Sequence, residues 1–227
     1  SQAVPLLGQT TLSEFLFSTE WYPTDEEPVF GIGALIVGSL VVALVTTVIA
    51  VPLGVLTAAA IHCAMPESVR RFVKPLIELM AALPSVVFGF VGLVVVAPGM
   101  QDTFGLNLLN AAIMLAFMCI PTIAAISEDA LRNVPGGMRE ASLALGATRW
   151  ETLVTVELRW AMGGIGTAVM LGISRVIGET MVVLMVAGGA AIIPESIFDP
   201  VRPMTASIAA ELSEAAVGGE HYYALYA

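Results

Sequence analysis

Four long uncharged stretches dominate the pattern of apolar and polar positions along this chain. They cover residues 28–61, 79–101, 103–127 and 160–194, of which the last is interrupted only by Arg175 and Glu179. About 20 apolar residues are enough for a helix to cross the hydrocarbon layer of a membrane. The pattern therefore predicts an all-α fold, a polytopic bundle of membrane-spanning helices that forms one domain over residues 28–227.

Prolines and glycines recur inside these stretches, where they would break helices in water. Within a membrane bundle they are tolerated, because neighbouring helices satisfy the freed backbone groups and small residues let helices approach closely. The residues concerned are Pro52, Pro84, Gly89, Pro121, Gly172 and Gly178.

Basic residues alternate between the segments that connect the stretches. Three lie in 62–78 and four in 128–159, whereas segment 1–27 has none and segment 195–227 has only Arg202. The positive-inside rule then predicts that 62–78 and 128–159 face the cytoplasm. Segment 1–27 is predicted to be a separate extracytoplasmic segment.

Acidic residues concentrate on the opposite side. Eleven of them fall in segments that are predicted to lie outside, where Arg202 is the one basic residue. They are Glu14, Glu20, Asp25, Glu26, Glu27, Asp102, Glu195, Asp199, Glu211, Glu214 and Glu220. A face with this charge repels a free anion, so an anionic substrate would need a separate protein to deliver it.

Composition supports a membrane protein, since 57% of the residues are apolar and 12% are charged, against about a quarter charged in soluble domains. The net charge of −10 argues against nucleic acid as a partner. Cys63 and Cys119 are expected to be buried thiols rather than a disulfide framework. His62 and His221 lack metal-ligand partners at suitable spacing, so both are interpreted as structural and no metal is expected.

Tyrosines at 222, 223 and 226 are typical of the aromatic belt that opens a membrane span. We therefore expect one more span beyond residue 227. The predicted external position of segment 1–27 calls for another span before residue 1, which gives about six spans in the full protein.

Segment 128–160 predicts folded structure on the cytoplasmic face. Residues 138–145 are mostly strong helix formers, and Gly146 is suited to end that helix in a left-handed conformation. A capping box over 148–151 begins a second helix that runs toward Trp160. The prediction is two short helices at an angle, held at the membrane surface.

Residues 140–146 resemble the Glu-Ala-Ala…Gly loop of ABC importer permeases, reading Glu-Ala-Ser and then glycine. In that family the loop forms the coupling helix that docks into a groove on the ATPase subunit. The family pattern continues with Ile-x-Leu-Pro, but 156–159 read Val-Glu-Leu-Arg, so Arg159 replaces the proline. The resemblance implies these ATPase-coupling residues: Glu140, Ala141, Ser142, Leu145 and Gly146.

Further segments resemble the phosphate branch of this family. They are Lys-Pro-Leu-Ile-Glu at 74–78, Leu-Pro-Ser-Val-Val-Phe-Gly-Phe at 83–90, Ser-Glu-Asp-Ala-Leu at 127–131, Gly-Glu-Thr-Met at 178–181 and Phe-Asp-Pro-Val-Arg-Pro-Met-Thr at 198–205. Over residues 13–227 the chain is similar to the C-type membrane subunit of the phosphate-specific (Pst) importer, with the A-type sister subunit as the alternative.

The resemblance implies a multi-pass subunit of the bacterial plasma (inner) membrane that forms half of a translocation path. Its implied partners are a second, unlike permease subunit, two ATP-binding cassette ATPase subunits, an extracytoplasmic phosphate-binding protein and the lipid bilayer. It implies no cofactor.

Arg175 and Glu179 are four residues apart, which would place both on one face of a single helix. A charge inside a membrane is costly unless it is paired or faces water or protein. We expect Arg175 to bind Glu179 at rest and phosphate in transit, because a guanidinium donates two parallel hydrogen bonds to an oxyanion. The alternative is a permanent structural ion pair.

Three further residues are candidates for the substrate path. Thr180 belongs to the Gly-Glu-Thr-Met segment, and Ser85 follows a helix break expected at Pro84, where backbone N–H groups can meet an anion. Arg202 is a candidate contact at the outer mouth, although a local ion pair after Asp199 is the simpler interpretation.

The chain lacks a Gly-x-x-x-x-Gly-Lys-Ser/Thr phosphate loop, so ATP hydrolysis is expected on a separate chain and no catalytic residue is expected here. An intramembrane enzyme would need a nucleophile and a base in contact, whereas the neighbours His62 and Cys63 point in different directions on a helix. The remaining alternatives are a permease for sulfate or molybdate and a passive anion channel.

Overall fold

A computed structural model of the chain describes residues 11–25, 28–99 and 105–227. The helices in this part are α1 (Leu12–Phe17), α2 (Gly33–Ala64), α3 (Glu67–Ala81), α4 (Ser85–Gly99), α5 (Leu108–Arg132), α6 (Gly136–Ala144), α7 (Arg149–Ile177), α8 (Met181–Val186), α9 (Met204–Glu211) and α10 (Glu220–Leu225). Two strands, β1 (Trp21–Tyr22) and β2 (Val29–Phe30), pair antiparallel. The predicted helical fold is confirmed apart from this small hairpin.

Three of the described helices, α2, α5 and α7, are long and apolar enough to cross a membrane. The number rises to four if α3 and α4, a bent pair with a break between them, form one broken span. α2, α4, α5 and α7 overlap the four uncharged stretches, whereas α3 lies mainly in the charged segment 62–78. Pro52 lies inside α2 and Pro121 inside α5, so the prediction that the bundle tolerates them is confirmed.

The helix of the fourth uncharged stretch, 160–194, begins and ends earlier than that stretch, since α7 covers Arg149–Ile177. The second helix of segment 128–160 starts at the capping box as predicted, but it is not short, because α7 runs without a break from Arg149 to Ile177. Arg159 stands where the family pattern has proline, so no proline interrupts this helix. Irregularity appears instead as a π-helical turn over Leu153–Glu157. A second π-helical turn, Gly92–Val96, lies within α4.

The chain divides into two compact units. Unit 1 comprises Ser1–Val45, Ser85–Met114 and Ile177–Ala227, and unit 2 comprises Thr46–Pro84 and Leu115–Val176. In unit 1 a core forms where Phe15, Trp21, Phe30, Leu35 and Ala224 pack together. Part of the predicted N-terminal segment is therefore folded onto the apolar core of its unit.

Unit 2 is packed through small residues. Ile123 of α5 lies against Gly54 of α2 and Gly172 of α7, where an added Cβ would come within 2.8 and 2.9 Å of its side chain. Gly164 similarly meets Ala130, 2.5 Å from the position of an added Cβ. Such contacts let membrane helices approach closely, as the sequence predicted for Gly172.

The described residues leave some predictions outside the structure. Glu26, Glu27 and Asp102 of the predicted acidic outer face lie outside the described residues. Cys63 and Cys119 are both thiols, of which Cys119 is buried as predicted and Cys63 only half-buried. The Cys119 thiol is buried and lies 3.7 Å from the carbonyl oxygen of Gly172.

Candidate functional site

Arg175 lies in the last turn of α7, within unit 2, and is half-buried. Its Nη1 donates to the carbonyl oxygen of Ala81 at 2.9 Å and to the hydroxyl oxygen of Thr122 at 3.2 Å. Ala81 is the last residue of α3. The last carbonyl oxygens of a helix receive no hydrogen bond from within the helix. Arg175 therefore caps α3 and is fixed by two partners that the sequence analysis did not identify.

The other edge of this guanidinium remains available. Nη1 carries two hydrogens, and both are used by its two acceptors. In the part of the chain that the structure describes, the Nε and Nη2 groups of Arg175 donate no hydrogen bond. These two groups form the side edge of the guanidinium fork, whose parallel N–H bonds match the oxygens of a phosphate or carboxylate.

Glu179 has a different setting from the one predicted. α7 ends at Ile177, so the prediction that Arg175 and Glu179 share a face of one helix is wrong. Gly178 follows the end of α7, and glycine is a poor helix former. The Glu179 Oε1 accepts hydrogen bonds from the backbone N–H groups of Met181 at 3.1 Å and Val182 at 3.3 Å. Glu179 thereby satisfies the free N–H groups at the start of α8.

Unit 1 gathers three of the predicted path residues around α8. Thr180 directly precedes this helix, and the hydroxyl of Thr205 donates to the Glu179 carbonyl oxygen at 2.8 Å. The break at Pro84 is confirmed, because α4 begins at Ser85. α4 packs on α8 so closely that a Cβ on Gly89 would lie 2.8 Å from the sulfur of Met185.

Arg202 is engaged within unit 1. Its Nη1 lies 2.7 Å from Glu211 Oε1, and its Nε donates to the carbonyl oxygen of Gly189 at 2.7 Å. Arg202 forms an ion pair, but its partner is Glu211, nine positions along the chain, so the expected local pair with Asp199 is wrong. Asp199 Oδ2 instead accepts two backbone hydrogen bonds, from Glu195 and Ser196.

Glu211 joins three separate segments of unit 1. Besides Arg202, its carboxylate accepts hydrogen bonds from Trp21 Nε1 at 3.0 and 3.1 Å and lies 2.8 Å from His221 Nε2. The residue is 8% exposed. Glu211 is therefore a buried carboxylate that Arg202 and N–H donors compensate, rather than an exposed surface charge.

The predicted coupling residues lie on or directly after α6. This helix carries Glu140, Ala141 and Ser142 and buries none of its residues. Leu145 follows it with 90% of its surface exposed. Gly146 has a φ of +90°, which confirms its prediction as a left-handed terminator.

A capping box begins α7, as predicted. The backbone N–H of Thr148 donates to Glu151 Oε2 at 2.8 Å, and the backbone N–H of Glu151 donates to Thr148 Oγ1 at 3.2 Å. A further hydrogen bond of 3.0 Å joins the hydroxyls of Ser142 and Thr152. This end of α7 therefore holds α6 by polar contacts.

Two of the sequence segments that resembled the phosphate branch meet through Lys74. Its Nζ donates to Glu128 Oε2 at 2.9 Å and also to Asp129. The Glu128 side chain is 1% exposed, and Arg70 Nη1 lies 3.9 Å from its other oxygen. Lys74 on α3 is thus the nearest positive charge to the buried Glu128 carboxylate on α5.

Replacing Lys74 with methionine is expected to destabilise the protein by about 2 kcal/mol or more, because the buried Glu128 carboxylate loses its hydrogen-bonded cation and keeps only Arg70 at 3.9 Å. Thermal unfolding of the purified protein in detergent measures the effect. Arg71→Met is the matched control, since Arg71 is exposed and has no ion pair among the described residues. Equal unfolding temperatures for the two variants would contradict this role of Lys74.

Comparison with known proteins places this geometry in a family. Residues 50–210 match the family described as binding-protein-dependent transport system inner membrane component. The "probable ABC transporter permease protein YqgH" of Bacillus subtilis is 39% identical over 209 residues, which cover 90% of this chain and 68% of the relative. The phosphate transport system permease protein PstC of Pasteurella multocida is 34% identical, over 88% of this chain and 69% of that protein.

A solved structure supports the fold independently. A chain of the MetNI methionine ABC transporter, in inward-facing conformations, aligns with a TM-score of 0.60 at 21% sequence identity. The alignment covers 86% of this chain and 84% of that chain. At this identity the likeness concerns the fold alone. Together with the match over 50–210, it shows that this chain belongs to the family of binding-protein-dependent transport system inner membrane components, the permeases of ABC importers.

Proposed function

We propose that the chain is the membrane-spanning permease subunit of an ATP-driven phosphate importer. Several relatives that are 32–34% identical carry the name phosphate transport system permease protein PstC, which favours the C-type over the A-type subunit. The chain forms half of the translocation path. It is a non-catalytic subunit, and a separate ATPase chain supplies the energy.

The observation that carries the substrate assignment is the free side edge of Arg175. Two contacts to Nη1 hold the guanidinium, and among the described residues Nε and Nη2 have no acceptor, so both can donate to two oxygens of one anion. A fixed donor pair loses little conformational freedom when it binds, so the anion is recognised by geometry as well as charge. Arg175 is therefore the phosphate contact of this subunit, with Ser85, Glu179 and Thr180 as the further path residues.

Arg202 has a supporting role in this proposal. Its bonds to Glu211 and Gly189 occupy both Nη1 and Nε. The Nε–Nη2 edge of Arg202 is therefore partly used, unlike that of Arg175. Arg202 consequently stabilises the outer end of the subunit rather than receiving the anion.

The basic residues set the orientation of the subunit. Segments 62–78 and 128–159 face the cytoplasm, where the coupling loop 128–160 meets an ATP-binding cassette ATPase, and segment 1–27 lies outside. The complete importer contains a second, unlike permease subunit, two ATPase subunits and an extracytoplasmic binding protein. That binding protein delivers phosphate against the repulsion of the acidic outer segments.

The test is uptake of radioactive phosphate into proteoliposomes that contain the complete importer and its binding protein. We expect uptake only with ATP, and no reduction by excess sulfate or molybdate. Uptake without ATP would identify a passive channel instead. Inhibition by sulfate or molybdate at concentrations equal to that of phosphate would identify a permease for another oxyanion.

A further inference from the structure

A buried charge cluster joins α6 to two long helices of unit 2. Arg139 of α6 donates through Nε to Glu157 Oε1, and its Nη2 lies 2.9 Å from His62 Nε2. Glu157 belongs to α7, and its Oε2 lies 2.9 Å from the same nitrogen of His62. His62 lies near the end of α2. Each of the three residues therefore contacts the other two, and each comes from a different helix.

The hydrogen positions allow two arrangements of this cluster. His62 Nε2 holds either a hydrogen, which it donates to Glu157, or a lone pair, which accepts from Arg139. It cannot do both at once. The ring therefore binds either α7 or α6 through one nitrogen, and the hydrogen on Nε2 decides which.

Burial makes the link between α6 and α7 costly to break. The Glu157 side chain is 5% exposed and that of His62 is 7% exposed, whereas the Arg139 side chain is 38% exposed. A buried carboxylate needs its cation, so Glu157 must follow Arg139 when α6 moves. α6 buries no residue of its own, which leaves it dependent on polar contacts with α7.

The surroundings of the cluster permit movement. A cavity of about 260 Å³ adjoins all three residues and is also lined by Leu143 and Arg149. Glu157 ends the π-helical turn Leu153–Glu157, and π-helical turns within α-helices are frequent at functional sites. Space on one side and an irregular turn in the backbone let the carboxylate shift without a clash in a close-packed interior.

We infer that Arg139, Glu157 and His62 form the link that transmits movement of α6 to the membrane helices α7 and α2. This inference rests on the proposed function, because the movement comes from the ATPase that binds the coupling loop. The three are positioning residues, distinct from the coupling residues Glu140 to Gly146 predicted from the sequence. The side chains of Glu157 and His62 are buried, and none of the three is among those predicted docking residues.

The experiment compares Arg139→Gln, Glu157→Gln and the double variant in the complete importer, reconstituted in proteoliposomes. Two quantities are measured, the rate of ATP hydrolysis and the number of phosphate ions imported per ATP. We expect each single variant to assemble and to hydrolyse ATP, with at least a ten-fold loss in phosphate per ATP. The double variant is expected to lose no more than either single variant, since both remove one link. Arg159→Gln, an exposed charge two residues after Glu157, is the control.

Several results would overturn the inference. One is an unchanged ratio of phosphate to ATP in both single variants, and another is a double variant whose loss equals the product of the two single losses. Arg139→Lys, which keeps the charge that compensates Glu157, must lie between wild type and Arg139→Gln. If ATP hydrolysis and transport fall in proportion in every variant, the cluster serves stability alone. A wild-type complex that imports no phosphate would instead contradict the proposed function.

Discussion

Arg175→Gln is expected to reduce ATP-dependent phosphate uptake at least ten-fold while the importer still assembles and hydrolyses ATP. The Nε and Nη2 edge, which has no acceptor among residues 11–25, 28–99 and 105–227, is proposed to donate two charge-assisted hydrogen bonds to one anion. Bonds of this kind contribute about 1.5–3 kcal/mol each, and about 1.4 kcal/mol corresponds to a factor of ten. Glutamine ends at about the position of Arg175 Nε, so this variant also loses the hydrogen bond from Nη1 to the carbonyl oxygen of Ala81.

Two further variants separate recognition from structure. Arg175→Lys keeps the positive charge but lacks the planar fork, so we expect uptake well below wild type. Thr122→Val removes one anchor of Nη1 and leaves the free edge intact, which should produce a smaller loss. Full uptake by Arg175→Gln would show that Arg175 only caps α3, and the search for the phosphate contact would move to Ser85 and Thr180.

Leu145→Glu is expected to prevent stable association with the ATPase subunit. Leu145 follows α6 and is 90% exposed, and an apolar side chain so placed buries well against a partner. Transfer of a leucine side chain from water into an apolar site contributes about 1.5–3 kcal/mol, and a buried unpaired glutamate adds a further penalty. We expect at least a ten-fold decrease in the ATPase that co-purifies with the permease.

The matched control for this substitution is Val217→Glu. Val217 is 86% exposed but lies in segment 195–227, which is proposed to face outside. It should leave ATPase association unchanged. Equal loss of the ATPase in both variants would indicate a general effect of added charge on stability. Unchanged association in Leu145→Glu would exclude Leu145 from the docking surface.

Local patterns predicted much of this fold. Uncharged stretches of sufficient length identified the long helices, since the membrane requires about 20 apolar residues whatever the tertiary contacts are. The capping box at Thr148 and the terminator at Gly146 were also predictable, because both act within a few residues of themselves. The break at Pro84 belongs to the same class.

The polar network within each unit could not be predicted in this way. Lys74 and Glu128 are 54 positions apart, and Arg139 and His62 are 77 apart. No periodicity relates such pairs, so His62 and His221 were interpreted as lone histidines although each contacts a buried glutamate. The partner of Glu179 was predicted wrongly because its true partners are close in sequence. Helical spacing suggested a partner at Arg175, whereas the backbone N–H groups of α8 bind its carboxylate locally.

The junction at Glu211 has a consequence for the order of folding. Trp21 and Glu211 are 190 positions apart along the chain, and synthesis proceeds from the N-terminus. The indole N–H of Trp21 therefore has no Glu211 acceptor until most of this chain has been synthesised. Closing a loop of this length also carries a high entropic cost. We expect the small hairpin containing Trp21 to be among the last elements to become protected from proteases during biogenesis.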